Sequence, residues 1–137
     1  MALRVSLSAS PRLNPDDKGQ ALATLVRVYQ VKGVSKLDAA SFDDFLDRGK
    51  ETLGEDFLSA DEITLNPGEK LTQPSKRNPE ASYLVAVALF RKPTSDTWRS
   101  VKKLAPPDPQ FCHADEHADR SPFAAQFVLD DNRIELR

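Results

Sequence analysis

The sequence lacks several of the features on which enzyme sites are usually built. Its five glycines stand apart, at positions 19, 33, 49, 54 and 68, so no glycine-rich loop exists to cradle a phosphate. No serine sits in a G-x-S-x-G elbow, and the only two histidines, His113 and His117, lie too close together for a dispersed catalytic triad. A single cysteine, Cys112, excludes an internal disulfide framework and leaves the redox compartment open. No apolar run approaches the roughly 18 residues of a membrane-spanning helix. Charge of one sign is also missing: 19 basic and 21 acidic residues mix along the chain, and without a basic stripe nucleic acid is a poor partner.

What is present suits one globular domain over residues 1–137, with 39% hydrophobic and 29% charged residues. Leu3, Val5 and Leu7 alternate with Arg4, Ser6 and Ser8, which predicts a strand with one wet face. A long polar connection follows at 10–20, SPRLNPDDKGQ, and loops of that length in compact domains are often functional. Leu22 to Val31 reads as a strand with both faces partly apolar, hence a central one covered on each side.

The period changes over about residues 35–54, where Leu37, Phe42, Phe45, Leu46 and Leu53 fall near helical spacing. Ser41 is placed to cap FDDFLDRGKETL, with Asp43 and Asp44 at its positive end. Gly49 predicts a bend or break, and Gly54 a C-terminal cap. Further strands are expected at 61–65, 70–73, 82–90, 97–104, 123–129 and 133–136, with turns at 66–69, 74–79, 93–96 and 130–132. Trp98 and Tyr29 are expected to sit mostly in the core. The sum is about seven or eight short strands with a small helical insertion, a mainly β two-sheet sandwich.

The densest chemistry is FCHADEHADR at 111–120. Cys112, His113 and His117 are candidate metal ligands, and His113 and His117 would share a helix face. No second Cys/His cluster completes a tetrahedral site, and the bland reading is a solvated polar loop with no cofactor. The paired carboxylates at 16–17, 43–44, 61–62 and 130–131 read as caps and turn residues.

Several segments, in order, resemble one family: LNPDDKG at 13–19, VRVYQVK at 26–32, LGEDFLSADEITLNPGE at 53–69, ALFR at 88–91, WRSV at 98–101 and DDNRIEL at 130–136. No one motif is specific, but the ordered set is similar to the type VI secretion outer-membrane lipoproteins, the TssJ (SciN/VasD-like) family. The stretch Ala105 to Pro122 departs from that pattern in being longer and richer in His and Cys.

The resemblance implies a transthyretin-like β-sandwich on the periplasmic face of the outer membrane of a Gram-negative bacterium. It implies a lipid anchor on a cysteine preceding Met1, since Cys112 cannot be the first mature residue. The implied partner is the periplasmic C-terminal region of the TssM-family inner-membrane protein, bound through the loop between the first two strands. That loop would contribute Arg12, Leu13, Asn14, Pro15, Asp16, Asp17 and Lys18. Leu13 either plugs a partner pocket or packs on its own sandwich, with Arg12, Asp16, Asp17 and Lys18 as a charged rim. The alternative to this non-enzymatic scaffold is a transthyretin-like module that binds a small ligand or metal in the periplasm.

Overall fold

The computed structural model describes residues 2–104 and 125–136. Eight strands form two four-stranded sheets: β1 (Ala2–Ala9), β2 (Thr24–Val31), β3 (Phe57–Leu65), β4 (Lys70–Lys76), β5 (Tyr83–Ala88), β6 (Arg99–Lys103), β7 (Ala125–Asp130) and β8 (Arg133–Leu136). One sheet has the order β4-β1-β7-β8 and the other β3-β2-β5-β6. β1 and β7 run parallel, while every other pairing is antiparallel.

The alternation in β1 does what its period dictates. Leu3, Val5 and Leu7 are buried between the sheets with Phe127 and Leu129, facing Val26, Val28 and Leu84 of the other sheet. Each such side chain contributes about 1.5–3 kcal/mol by leaving water.

β2 is the second strand of its sheet and is covered on both faces, as its two-sided apolar pattern predicts. Gln30 turns inward and donates to the Lys76 carbonyl at 3.0 Å, tying the sheets together. Arg27 and Tyr29 turn outward under a helical insertion made of α1 (Ser35–Asp38), α2 (Phe42–Asp47) and α3 (Gly49–Leu53), followed by a 3-10 turn. The Arg27 guanidinium donates to the Phe45 and Leu46 carbonyls at 3.0 and 3.2 Å, at the open end of α2. Tyr29, Phe45 and Trp98 form an aromatic chain, with centroids 5.9 and 5.5 Å apart. Tyr29 and Trp98 are thus core residues, each 2% exposed.

The helical run starts where expected. Ser41 and Asp44 form a capping box, the Ser41 N–H donating to the Asp44 carboxylate at 2.8 Å. That interaction holds the Asp44 carboxyl below its usual range. The run breaks at Arg48, with φ −129° and ψ 33°, and the residue after it has no room for a side chain: a Cβ at Gly49 would collide with the Tyr29 hydroxyl oxygen and stand 3.2 Å from a Phe45 ring carbon. Gly54 ends α3 with φ +58°, a conformation that favours glycine.

Several boundaries differ from the sequence expectation. β2 begins at Thr24 because Leu22 instead bonds back across the loop, its N–H donating to the Leu13 carbonyl at 3.0 Å. β3 begins at Phe57, whose ring packs on Tyr29 at 6.1 Å. β4 continues through Pro74, where a turn was expected, because β4 is an edge strand and an edge tolerates a missing N–H. β6 begins at Arg99 rather than at residue 97, and the Arg99 side chain donates to the Leu37 carbonyl at 2.6 Å.

Candidate functional site

The loop joining β1 to β2 spans residues 10–23 and is built into its surroundings at four places. At its start, the Ser10 N–H donates to the Leu129 carbonyl at 2.9 Å, and the Ser10 hydroxyl donates to the Asp130 carboxylate at 2.5 Å. Arg12 pairs with the same carboxylate at 3.1 Å. Ser10, then Arg12 and Arg133, hold Asp130 below the usual carboxylate range. The Gly68 N–H of the β3–β4 turn donates to the Ser10 carbonyl at 3.1 Å.

Asn14 sits at the centre. Its φ of +49° lies in the left-handed region, which asparagine tolerates better than most residues. That conformation lets its N–H donate to the Asp131 carbonyl at 2.7 Å while its side-chain oxygen accepts the Arg91 N–H at 2.9 Å. Beyond Pro15, Asp16 folds the tip on itself: one carboxylate oxygen accepts the Lys18 and Gln20 N–H groups, both at 2.9 Å. Gly19, at φ +80°, completes that turn.

Asp17 points outward, 73% exposed, and accepts from Arg91 and Lys92, both at 2.8 Å. These two cations lower its pKa from 3.8 to about 2, the Lys92 hydrogen bond having the largest effect. Around the neutral range Asp17 is therefore an anion beside two cations.

The predicted partner-binding residues divide into two groups. Arg12, Asp17 and Lys18 are exposed, and Pro15 and Asp16 are half-buried. Leu13 and Asn14 are buried, 0% and 5% exposed, and Leu13 belongs to the hydrophobic core. In this structure Leu13 packs on its own sandwich. The expected charged rim is also reduced, since Asp16 spends its carboxylate on the turn. Arg91, Lys92 and Asp130 belong to the loop's surface, and inspection of residues 10–20 by themselves missed them. The only signal for them was the presence of ALFR and DDNRIEL in the resembling set.

The arrangement offers shape and charge. Cys112, His113 and His117 lie outside the described residues. Among the described residues no group of three or more His, Cys, Asp or Glu side chains is arranged to hold a metal. An open groove of about 380 Å³ beside α3 is lined by Arg27, Tyr29 and Lys50 among others, far from the loop in sequence.

A family model described as "Type VI secretion lipoprotein, VasD, EvfM, TssJ" matches residues 1–130. The chain belongs to the type VI secretion lipoprotein family. Its fold is that of solved members. The T6SS lipoprotein TssJ1 from Pseudomonas aeruginosa is 24% identical with a TM-score of 0.79, covering 100% of this chain and 95% of that one. Serratia marcescens Lip, described as a membrane-bound component of the type VI secretion system, is 23% identical with a TM-score of 0.74, over 99% and 95% of the two chains. A chain in the structure described as "T6SS protein TssM C-terminal domain (869-1107) from EAEC" is 21% identical with a TM-score of 0.78, over 99% and 97%. Comparison with curated proteins finds no match. Among the described residues this type VI secretion lipoprotein is a mainly β sandwich of eight strands with three short helices.

Proposed function

We propose that this lipoprotein is a non-enzymatic tether. A lipid upstream of Met1 holds it to the periplasmic face of the outer membrane, and its 10–23 loop binds the periplasmic C-terminal region of the TssM-family inner-membrane protein. The observation that carries the reading is directional. β1 leads from Ala2 straight to Ser10, eight strand residues or about 25 Å, so the loop projects from the end of the sandwich opposite the N-terminus. A lipid at the N-terminus would aim the loop away from the outer membrane.

The loop's bracing supports the same reading. A segment already held in one conformation loses little entropy when it binds. Further support comes from the EAEC structure. Fragment 869–1107 is much longer than 137 residues, yet this chain covers 97% of the chain it matches there. The matched chain is therefore of this protein's size, which favours a partnership between such a chain and the TssM fragment.

The test is calorimetry with the TssM periplasmic C-terminal fragment. Deleting residues 12–18 would remove Leu13 from the core, so exposed charges are the better probes. Arg12→Glu combined with Lys18→Glu is expected to weaken binding at least tenfold, while losing the exposed Arg12–Asp130 pair costs no more than about 1 kcal/mol of stability. Parental affinity in that variant would sink the loop assignment.

A further inference from the structure

β3 is the longest strand of the sandwich and stands at the edge of its sheet, paired with β2 alone. Among the described residues the backbone on its free side bonds to no other element. The Ser75 hydroxyl of β4 donates to the Asp61 carboxylate at 3.1 Å, a side-chain contact that leaves the backbone of the edge unpaired. The other edges are blunted. β4 carries Pro74, which has no N–H to offer. Where β8 meets the approach to β6, the Ile134 N–H donates to the Thr97 carbonyl at 2.8 Å. β3 has no proline anywhere along it.

Beside this edge runs the open groove of about 380 Å³, between the outer face of β3 and α3. Tyr29 and Phe57 give it an aromatic wall, and the exposed Ala60 leaves room beside them. Its charged lining is four carboxylates, Asp47, Glu51, Asp61 and Glu62, against Arg27 and Lys50. Arg27 pairs with Glu62 at 3.3 Å, and Arg48 stands 3.9 Å from Asp47. The Lys50 ammonium lies 5.4 Å from the centre of the Phe57 ring. Glu51 and Asp61 have no cation within ion-pair distance among the described residues. Lys70 and Lys76 of β4 share the register face of Ser8 and Ala2, on the other sheet.

We propose that the β3 edge and this groove form a second docking site, which takes an extended segment of a partner protein carrying a lysine or arginine. The inference goes beyond the 10–23 loop and does not depend on it. The segment's backbone pairs with β3 as a fifth strand of the sheet, and its basic side chain enters the groove. Charge selects this occupant over a second copy of the chain. β3 carries Asp61 and Glu62 and no cation, so pairing with itself sets like charges against each other, whereas a basic side chain meets the carboxylates. Its aliphatic stem covers the aromatic wall, as that of Lys50 already does at Phe57.

The test is an NMR titration of the isotope-labelled chain with a capped peptide as long as β3, alternating valine and threonine with a lysine at its centre. Amide shifts are expected along β3 and α3, weakening as salt is raised. N-methylating one alternate set of peptide amides should abolish them, and so should Ala60→Trp, which fills the groove. Replacing the peptide's lysine by glutamate should weaken binding about fivefold, as should Glu51→Lys. Thr72→Trp, exposed on the other sheet, should change nothing. No shifts on β3, equal affinity for the lysine and glutamate peptides, or indifference to N-methylation or to Ala60→Trp would overturn the proposal. Shifts of β3 on concentrating the chain by itself would overturn it in favour of a second copy. Shifts confined to residues 10–23 would also overturn it and leave the loop reading standing. The Arg12→Glu, Lys18→Glu variant, which spares the groove, should bind the peptide as the parent does, so failure of the loop reading is seen separately.

Discussion

The side-chain oxygen of Asn14 accepts the backbone N–H of Arg91 at 2.9 Å, across 77 positions of sequence. This bond joins the β1–β2 loop to the connection between β5 and β6, and the left-handed backbone of Asn14 directs it. Two demands meet at one residue: tolerance of φ +49° and an acceptor three bonds from Cα.

The two demands can be separated by substitution. Asn14→Asp keeps the acceptor and the tolerance of φ > 0, and should cost little. Asn14→Ala loses both, leaves the Arg91 N–H without its partner and should cost about 1–3 kcal/mol in chemical denaturation. Equal stability of the two variants would show that the bond contributes nothing.

Gly49→Ala inverts the usual helix rule. Alanine in a helix interior normally stabilises by about 1 kcal/mol over glycine. Here the new Cβ meets the Tyr29 hydroxyl and the Phe45 ring, so the variant should lose about 1–3 kcal/mol. Adding Tyr29→Phe removes the colliding oxygen and should recover part of the loss. A double-mutant cycle by thermal or urea denaturation reads the coupling.

Gly49 also marks how far the sequence could be read. The alternation of Leu3, Val5 and Leu7, the two-sided β2 and the break in the helical run are local signals, and each element formed as they predict. Tertiary facts left no such trace. Leu13 reads equally as a plug or as core, because one apolar residue in a polar loop has no period. Pro74 reads as a turn until β4 is known to be an edge strand. The partners of Asp17 and Asn14 lie 74–77 positions away, and only the folded sheets bring Arg91 and Lys92 to the loop.

Asp17 should report the integrity of that surface through its titration. Arg91 and Lys92 favour its charged form, so its folded pKa falls from 3.8 to about 2. The interaction is therefore fully present above pH 3.8 and is lost as pH falls through about 2. Carboxyl chemical shifts by NMR should show Asp17 titrating near 2 in the parent and close to 3.8 when Arg91 and Lys92 are both alanine. An ordinary value in the parent would mean that the two cations do not hold it in solution.

Leu13→Ala and Asp17→Lys separate structural from binding roles within the same loop. Leu13 is fully buried, so its truncation removes apolar contacts and leaves a cavity, at a cost of about 2–5 kcal/mol. Any loss of TssM binding in Leu13→Ala should follow the unfolded fraction and be restored by cooling or a stabilising osmolyte. Asp17 is exposed, and reversing its sign leaves the core intact while placing a third cation beside Arg91 and Lys92. Under the proposed function, Asp17→Lys should keep a cooperative thermal transition and weaken TssM binding, with a change in salt dependence that Leu13→Ala does not show. If instead Leu13→Ala stays fully folded and still fails to bind, Leu13 reaches the partner after all, and the loop must open to deliver it.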